Sequence, residues 1–263
     1  GGGGARGAAL VGADATAAAV GDEALLIRQK SGAPVAVGRD RVAAARRLLA
    51  AHPGIDVIVA DDGLQHYRLA RVLELCVIDA AYGLGNRWPL PAGPLREPPA
   101  RLARCDALLI GEAGPPGDAD ATRQPDRLPD LPPGVPRWRV ARGLARAWRV
   151  ASPHESRALA DLPRAGWLAA CGIARPDAFF AALSNAGFTF ETRVFPDHHA
   201  YREGELPAGA ALLMTEKDAV KCTGFAGRDW WAAELAATPE PAFFDWLAAR
   251  LRTTGETNHA RND

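Results

Sequence analysis

Three short apolar runs, each breaking off at a carboxylate or a glycine, constrain this chain more than anything else in it. Residues 55–60 (IDVIVA) run into Asp61-Asp62-Gly63, 73–78 (LELCVI) into Asp79, and 107–110 (ALLI) into Gly111-Glu112. Helical stretches precede the first run: 23–30, then 39–51 with Val42, Ala45, Leu48 and Leu49 along one face. Apolar strands alternating with helices predict a mostly parallel sheet covered on both sides. Ligands of such sheets collect at the carboxyl ends of the strands, where these acids fall.

A second α/β pattern follows. Residues 167–171 read as a strand, 176–186 as a helix opened by Pro176 and stopped by Gly187, and 188–195 and 210–214 as further strands. Residues 113–137, rich in proline, glycine and aspartate, read as a long loop. The expected organisation is therefore a core over 1–150, a smaller α/β domain over 151–252 and a frayed polar tail over 253–263.

Composition narrows the class without naming a ligand. A chain of 263 residues that is 48% hydrophobic can bury a substantial core. Thirty-one basic residues balance thirty-one acidic ones, so charge points to no nucleic-acid partner. Cys76, Cys105, Cys171 and Cys222 form no C-x-x-C pair, which argues against a zinc knuckle or a disulfide framework. No apolar run approaches the roughly 18 residues of a membrane span. The chain opens on Gly1–Gly4 without a methionine, which suggests a start inside a domain.

Each candidate motif has a bland reading beside the chemical one. The run ending in Asp61-Asp62 is like a strand that brings an acid to a nucleotide-bound magnesium ion, or it is an Asp-Asp-Gly turn. Gly21-Asp22-Glu23 is a helix cap, or Asp22 is a base that takes a proton from a sugar hydroxyl. In Phe195-Pro-Asp-His-His-Ala-Tyr201, adjacent side chains point oppositely in an extended segment, so one working histidine is more economical than a metal bound by both. Leu90-Pro-Ala-Gly-Pro-Leu-Arg-Glu-Pro98 is a rigid loop, or one that offers Arg96 and Glu97 to an anionic substrate. Thr215-Glu-Lys-Asp218 closes a strand, and its lysine meets phosphate or pairs with its neighbours.

The order of these segments carries more than any one of them. V-G-D-E-A-L-L, G-A-P-V-A-V-G-R-D-R, D-D-G-L-Q-H-Y-R-L, L-P-A-G-P-L-R-E-P, G-I-A-R-P, F-P-D-H-H-A-Y and L-M-T-E-K-D-A-V-K-C resemble the lipid A 4'-kinase family, from about residue 20 to 222. The resemblance implies a P-loop NTPase-like α/β fold. It implies transfer of the ATP γ-phosphate to the 4'-hydroxyl of a tetraacyldisaccharide 1-phosphate, a lipid A precursor. It further implies magnesium dependence and peripheral work at the cytoplasmic face of the bacterial inner membrane. Carried over by motif, the catalytic aspartate is Asp22 and its partner His198, with His199 the alternative. Glu23, Asp61 and Asp62 take the metal- and nucleotide-side positions, Gln65 is a nucleotide candidate, and His66, Arg39, Arg96 and Glu97 are substrate candidates.

This sequence departs from the family in having no G-x-x-x-x-G-K-[ST] phosphate loop, and 1–7 (GGGGARG) resemble a degraded version of the arginine- and glycine-rich segment that follows that loop's helix. The expectation is a fold without its first strand, in a fragment or mis-called start of impaired activity. Two other readings stand beside the kinase. One is a metal-dependent phosphohydrolase built on Asp61, Asp62 and Asp197-His198-His199. The other is a non-catalytic lipid-binding remnant.

Overall fold

The computed structural model describes residues 7–113 and 131–259. Along the chain run β1 (Ala9–Leu10), α1 (Ala17–Val20), α2 (Asp22–Ser31), β2 (Ala36–Val37), α3 (Arg41–Ala51), β3 (Leu75–Asp79), β4 (Ala107–Ala113), β5 (Arg137–Arg149) and β6 (Ser152–Ala158). There follow β7 (Trp167–Cys171), α4 (Pro176–Asn185), β8 (Phe190–Val194), β9 (Leu212–Thr215), α5 (Glu216–Cys222), β10 (Trp230–Pro239) and α6 (Pro241–His259).

The chain forms two compact units, and neither is continuous in sequence. One comprises Gly1–Leu69 with Leu144–Leu235, the other Ala70–Gly143 with Ala236–Asp263. A sequential boundary near residue 150 does not describe this, because β5 and β10 each contribute residues to both units.

In the first unit β10, β9, β7 and β8 lie side by side and parallel. Their side chains alternate between two apolar clusters. Leu212, Met214, Ala170, Trp230 and Ala232 join Leu25 of α2 and Val220 of α5, while Leu213, Ala169, Cys171, Trp231 and Ala233 join Phe179 and Leu183 of α4. A strand such as WLAAC lacks polar alternation because both of its faces are covered. In the second unit β3, β4 and the start of β5 are parallel, with Ile78, Leu102, Leu108 and Ile110 in its core.

The α/β class and the parallel sheet agree with the sequence reading, but one strand does not. Residues 55–60 form no strand: no ladder partner exists for them among the described residues, and Val57 and Val59 are 53% and 89% exposed. The expected loop over 113–137 falls for 114–130 outside the described residues, as do 1–6 of the Gly/Arg segment. The expected polar tail from Thr253 is helical over its first part. α6 continues to His259, Thr253 Oγ1 donating to the Ala249 carbonyl (3.0 Å), and 260–263 lie outside the described residues.

Candidate functional site

Asp22 opens α2. Gly21 before it has φ +91°, a conformation that costs glycine little, and its amide closes α1 on the Ala17 carbonyl. That glycine holds the cap position, so Asp22 is the first helical residue and the helix-cap alternative does not apply to it. Its Oδ1 accepts from the Glu23 amide (3.0 Å), at the helix end where negative charge is favoured.

The second half of the site comes from the turn after β8. His198 sits at φ +58°, an uncommon conformation for a side-chain-bearing residue and one that collects at functional sites. The turn is pinned by backbone: the His198 amide donates to the Gly172 carbonyl (3.2 Å) and the His199 amide to that of Pro196 (3.1 Å). Gly172 is closely packed, since a Cβ there would meet the Pro196 oxygen at 3.0 Å and His199 Cβ at 3.2 Å, and the turn would have to give way slightly. So held, His198 Nδ1 lies 3.3 Å from Asp22 Oδ2, an exposed ring (60%) over a buried carboxylate (9%). His199 turns away, bonding Glu205 through Nε2 (3.0 Å) and stacking on Phe195 at 4.7 Å.

Helix α5 forms the floor. Thr215 caps it reciprocally, accepting from the Asp218 amide (3.3 Å) and donating to Asp218 Oδ2 (2.6 Å). Asp218 is wholly buried, and the same Oδ2 accepts from the Gly172 amide (3.0 Å). Lys221 Nζ reaches Asp218 Oδ1 (3.3 Å) and Asp22 Oδ2 (3.5 Å), while Lys217 pairs with Glu23. Farther along, Glu216 accepts from Lys30 (3.2 Å), the Trp148 indole (3.2 Å) and the Leu235 amide (3.2 Å). The pairs run in opposite order along the two helices, so α5 grips α2 from end to end. Burial alone would raise the Asp22 carboxyl. Lys221, the Glu23 amide and His198 more than reverse this and hold it below its usual 3.8.

Arg39, Gln65 and His66 line one cleft of about 470 Å³, together with Asp40, Arg41 and Arg68. Asp40 shapes it by capping α3 through the Val42 and Ala43 amides (2.9 and 3.0 Å). Asp61 and Asp62 are exposed in the preceding segment, Asp62 at φ +51°. Arg96 and Glu97 belong to the other unit, where Arg101 bridges Glu97 (3.4 Å) and Glu74 (2.6 Å). Among the described residues no three His, Cys, Asp or Glu side chains gather as a metal cluster, so Glu23, Asp61 and Asp62 are not assembled as one ligand set.

Sequence reasoning noted Glu216 and Asp218 only as parts of the Thr215–Asp218 motif and gave Lys221 no role. The capping pattern T-x-x-D was visible, but their importance comes from burial beside α2, which no local pattern reports.

A sequence profile of the family described as Tetraacyldisaccharide-1-P 4'-kinase matches residues 1–252. The tetraacyldisaccharide 4'-kinase of Thiobacillus denitrificans is 54% identical over 250 residues, which cover 95% of this chain and 73% of the relative. That of Chromobacterium violaceum is 43% identical over 250 residues, covering 92% and 70%. The crystal structure of the "apo" form of LpxK from Aquifex aeolicus in complex with ATP superposes with a TM-score of 0.76 at 23% identity, covering 95% of this chain and 76% of that one, which establishes the shared fold.

Proposed function

Because the chain belongs to the tetraacyldisaccharide-1-P 4'-kinase family, its reaction is phosphorylation of a tetraacyldisaccharide 1-phosphate at the 4' position in lipid A biosynthesis, and we propose that Asp22 and His198 activate the acceptor hydroxyl. The observation that carries this is the 3.3 Å contact between His198 Nδ1 and Asp22 Oδ2, made by residues 176 positions apart.

An ionised carboxylate offers about four acceptor sites. At Asp22 the Glu23 amide, His198 and Lys221 occupy three of them, which leaves one for a sugar hydroxyl. The 4'-oxygen attacks the γ-phosphorus of ATP, its proton passes to the Asp22 carboxylate, and the bond to the bridging oxygen breaks to release ADP. The transition state of phosphoryl transfer is loose, so the base mainly orients the nucleophile. Support for ATP as the donor comes from the relative solved in complex with it.

Magnesium takes one or two protein carboxylates together with nucleotide phosphates, so a three-carboxylate cage is not required of this chain. Half-exposed Glu23, engaged by a single lysine, fits that modest role, with Asp61 and Asp62 as the further candidate acids. The ion would neutralise charge on the phosphates. The arginines and His66 of the 470 Å³ cleft suit the anionic head group, and Arg96 and Glu97 remain substrate candidates. Four acyl chains keep the acceptor in a bilayer. That lipid acceptor is the ground on which we assign the chain a peripheral position at the cytoplasmic face of the inner membrane; no helix among the described residues is long and apolar enough to cross a membrane.

The exposure of His198 above buried Asp22 favours one further reading, in which the ring accepts the proton and Asp22 steadies it. Asp22→Asn is expected to lower kcat roughly 10²- to 10⁴-fold while calorimetry shows ATP affinity within about twofold of the parent. Full turnover in that variant removes Asp22 from the mechanism. A parent protein that binds the acceptor and gives no heat with ATP supports the lipid-binding remnant instead.

A further inference from the structure

Beneath Asp22 lies a chain of buried charges that the acceptor-activating pair does not itself require. Asp218 is fully buried, and its two oxygens have separate duties. Oδ2 is fixed by the Thr215 hydroxyl and the Gly172 amide, while Oδ1 faces Lys221. The Lys221 side chain is only 10% exposed, its ammonium lies 3.3 Å from Asp218 and 3.5 Å from Asp22 Oδ2, and it stands 5.8 Å from the centroid of the Tyr201 ring. An ammonium held by two carboxylates and an aromatic face has little freedom left.

We infer that Lys221, anchored by Asp218, is a positioning residue that sets the place and direction of the Asp22 carboxylate. This rests on the reading of Asp22 given above. The argument is one of common reference. Gly172 at the end of β7 takes Asp218 through its amide and His198 through its carbonyl. Both groups that touch Asp22 Oδ2, Lys221 from below and His198 from above, are thereby registered to the one residue that directly follows β7. Without those two contacts only the Glu23 amide would hold the Asp22 carboxylate. Holding a reacting group to within a fraction of an ångström is worth orders of magnitude in rate. Neutralising Asp218 alone needs only Lys221 on its own helix; a second contact, across to α2, is what a positioning role adds.

The test is a double-mutant cycle on turnover. Lys221→Met should lower kcat about 10- to 100-fold with KM for ATP and for the lipid acceptor within about twofold. In an Asp22→Asn background the same change should cost less than about threefold, because the group it positions is already disabled. Removing Lys221 also strands a buried carboxylate, so Asp218→Asn combined with Lys221→Met provides a second variant that folds without it yet still deprives Asp22 of its cation. It should show the same loss in kcat. An equal loss in both backgrounds overturns the inference, and so does a loss confined to KM or recovered in the Asp218→Asn pair. If Asp22→Asn itself keeps full turnover, the underlying reading of Asp22 fails, a result distinct from either.

Discussion

At the scale of single residues, the site is an exercise in keeping a buried carboxylate ionised. Burial opposes the charge on Asp22, and Lys221, the Glu23 amide and His198 outweigh it, so the carboxyl titrates below 3.8. The sign matters for activity. A lowered value means the proton-accepting form is complete at neutral pH and is lost only as pH falls through that lowered value. If Asp22 is the base, kcat/KM should show no acid inflection from it between about pH 5 and 8. If His198 takes the proton instead, His198→Gln should lower kcat as far as Asp22→Asn does, whereas a ring that only orients the carboxylate should cost much less. The pH–rate profile of the parent and the turnover of that one variant therefore separate the two readings.

At the scale of elements, α5 deserves the comparison with a cradle, and its own stability begins at one side chain. Thr215 caps the helix and holds Asp218, so Thr215→Ala removes two bonds at once and should cost about 1–2 kcal/mol in denaturant unfolding. Thr215→Ser, which keeps the hydroxyl, should recover most of it. Elements that advertise themselves locally were legible in the sequence: α3 from its apolar face, α4 from Pro176 and Gly187, and β7 from an unbroken apolar run. Residues 55–60 carry the same apolar signal and fail, because a strand needs a neighbour's ladder as well as its own side chains. β5 (RWRVARGLARAWR) escaped notice for the opposite reason. Its five arginines contradict a strand until Glu112, Asp79 and Glu155 are seen to neutralise three of them, Arg139, Arg142 and Arg149. The alanine-rich β10 is held as a strand by parallel pairing with β9, which overrides its helical preference. In the site, Asp22 and His198 were found through the order of motifs, whereas Lys221 acquires its meaning only from burial.

At the scale of the whole molecule, the unit that holds the site is organised around a sheet whose inner strands, β7 and β9, are covered on both faces. β9 is buried at Leu212, Leu213 and Met214, and it passes without a loop into α5, so packing on either face of the sheet is felt at Lys221 and Asp22. Two cysteines report on that packing. Cys171 ends β7 and Cys222 ends α5. Both are fully buried, and burial followed by the nearby Asp218 charge pushes each thiol up to about 12. At pH 8 neither is a thiolate in the folded state, so an alkylating reagent reaches them only when the unit opens. Leu213→Ala leaves a cavity on the α4 side of the sheet and should cost about 2–5 kcal/mol. Each 1.4 kcal/mol multiplies the open population about tenfold, so iodoacetamide should label Cys171 and Cys222 at least about 30-fold faster in this variant. The control is Val59→Ala at a position 89% exposed, which should leave the labelling rate within about twofold. Acceleration at Cys171 alone would mean that the two faces of the sheet open separately, and that α5 keeps its grip on α2 while the core beneath it is loosened.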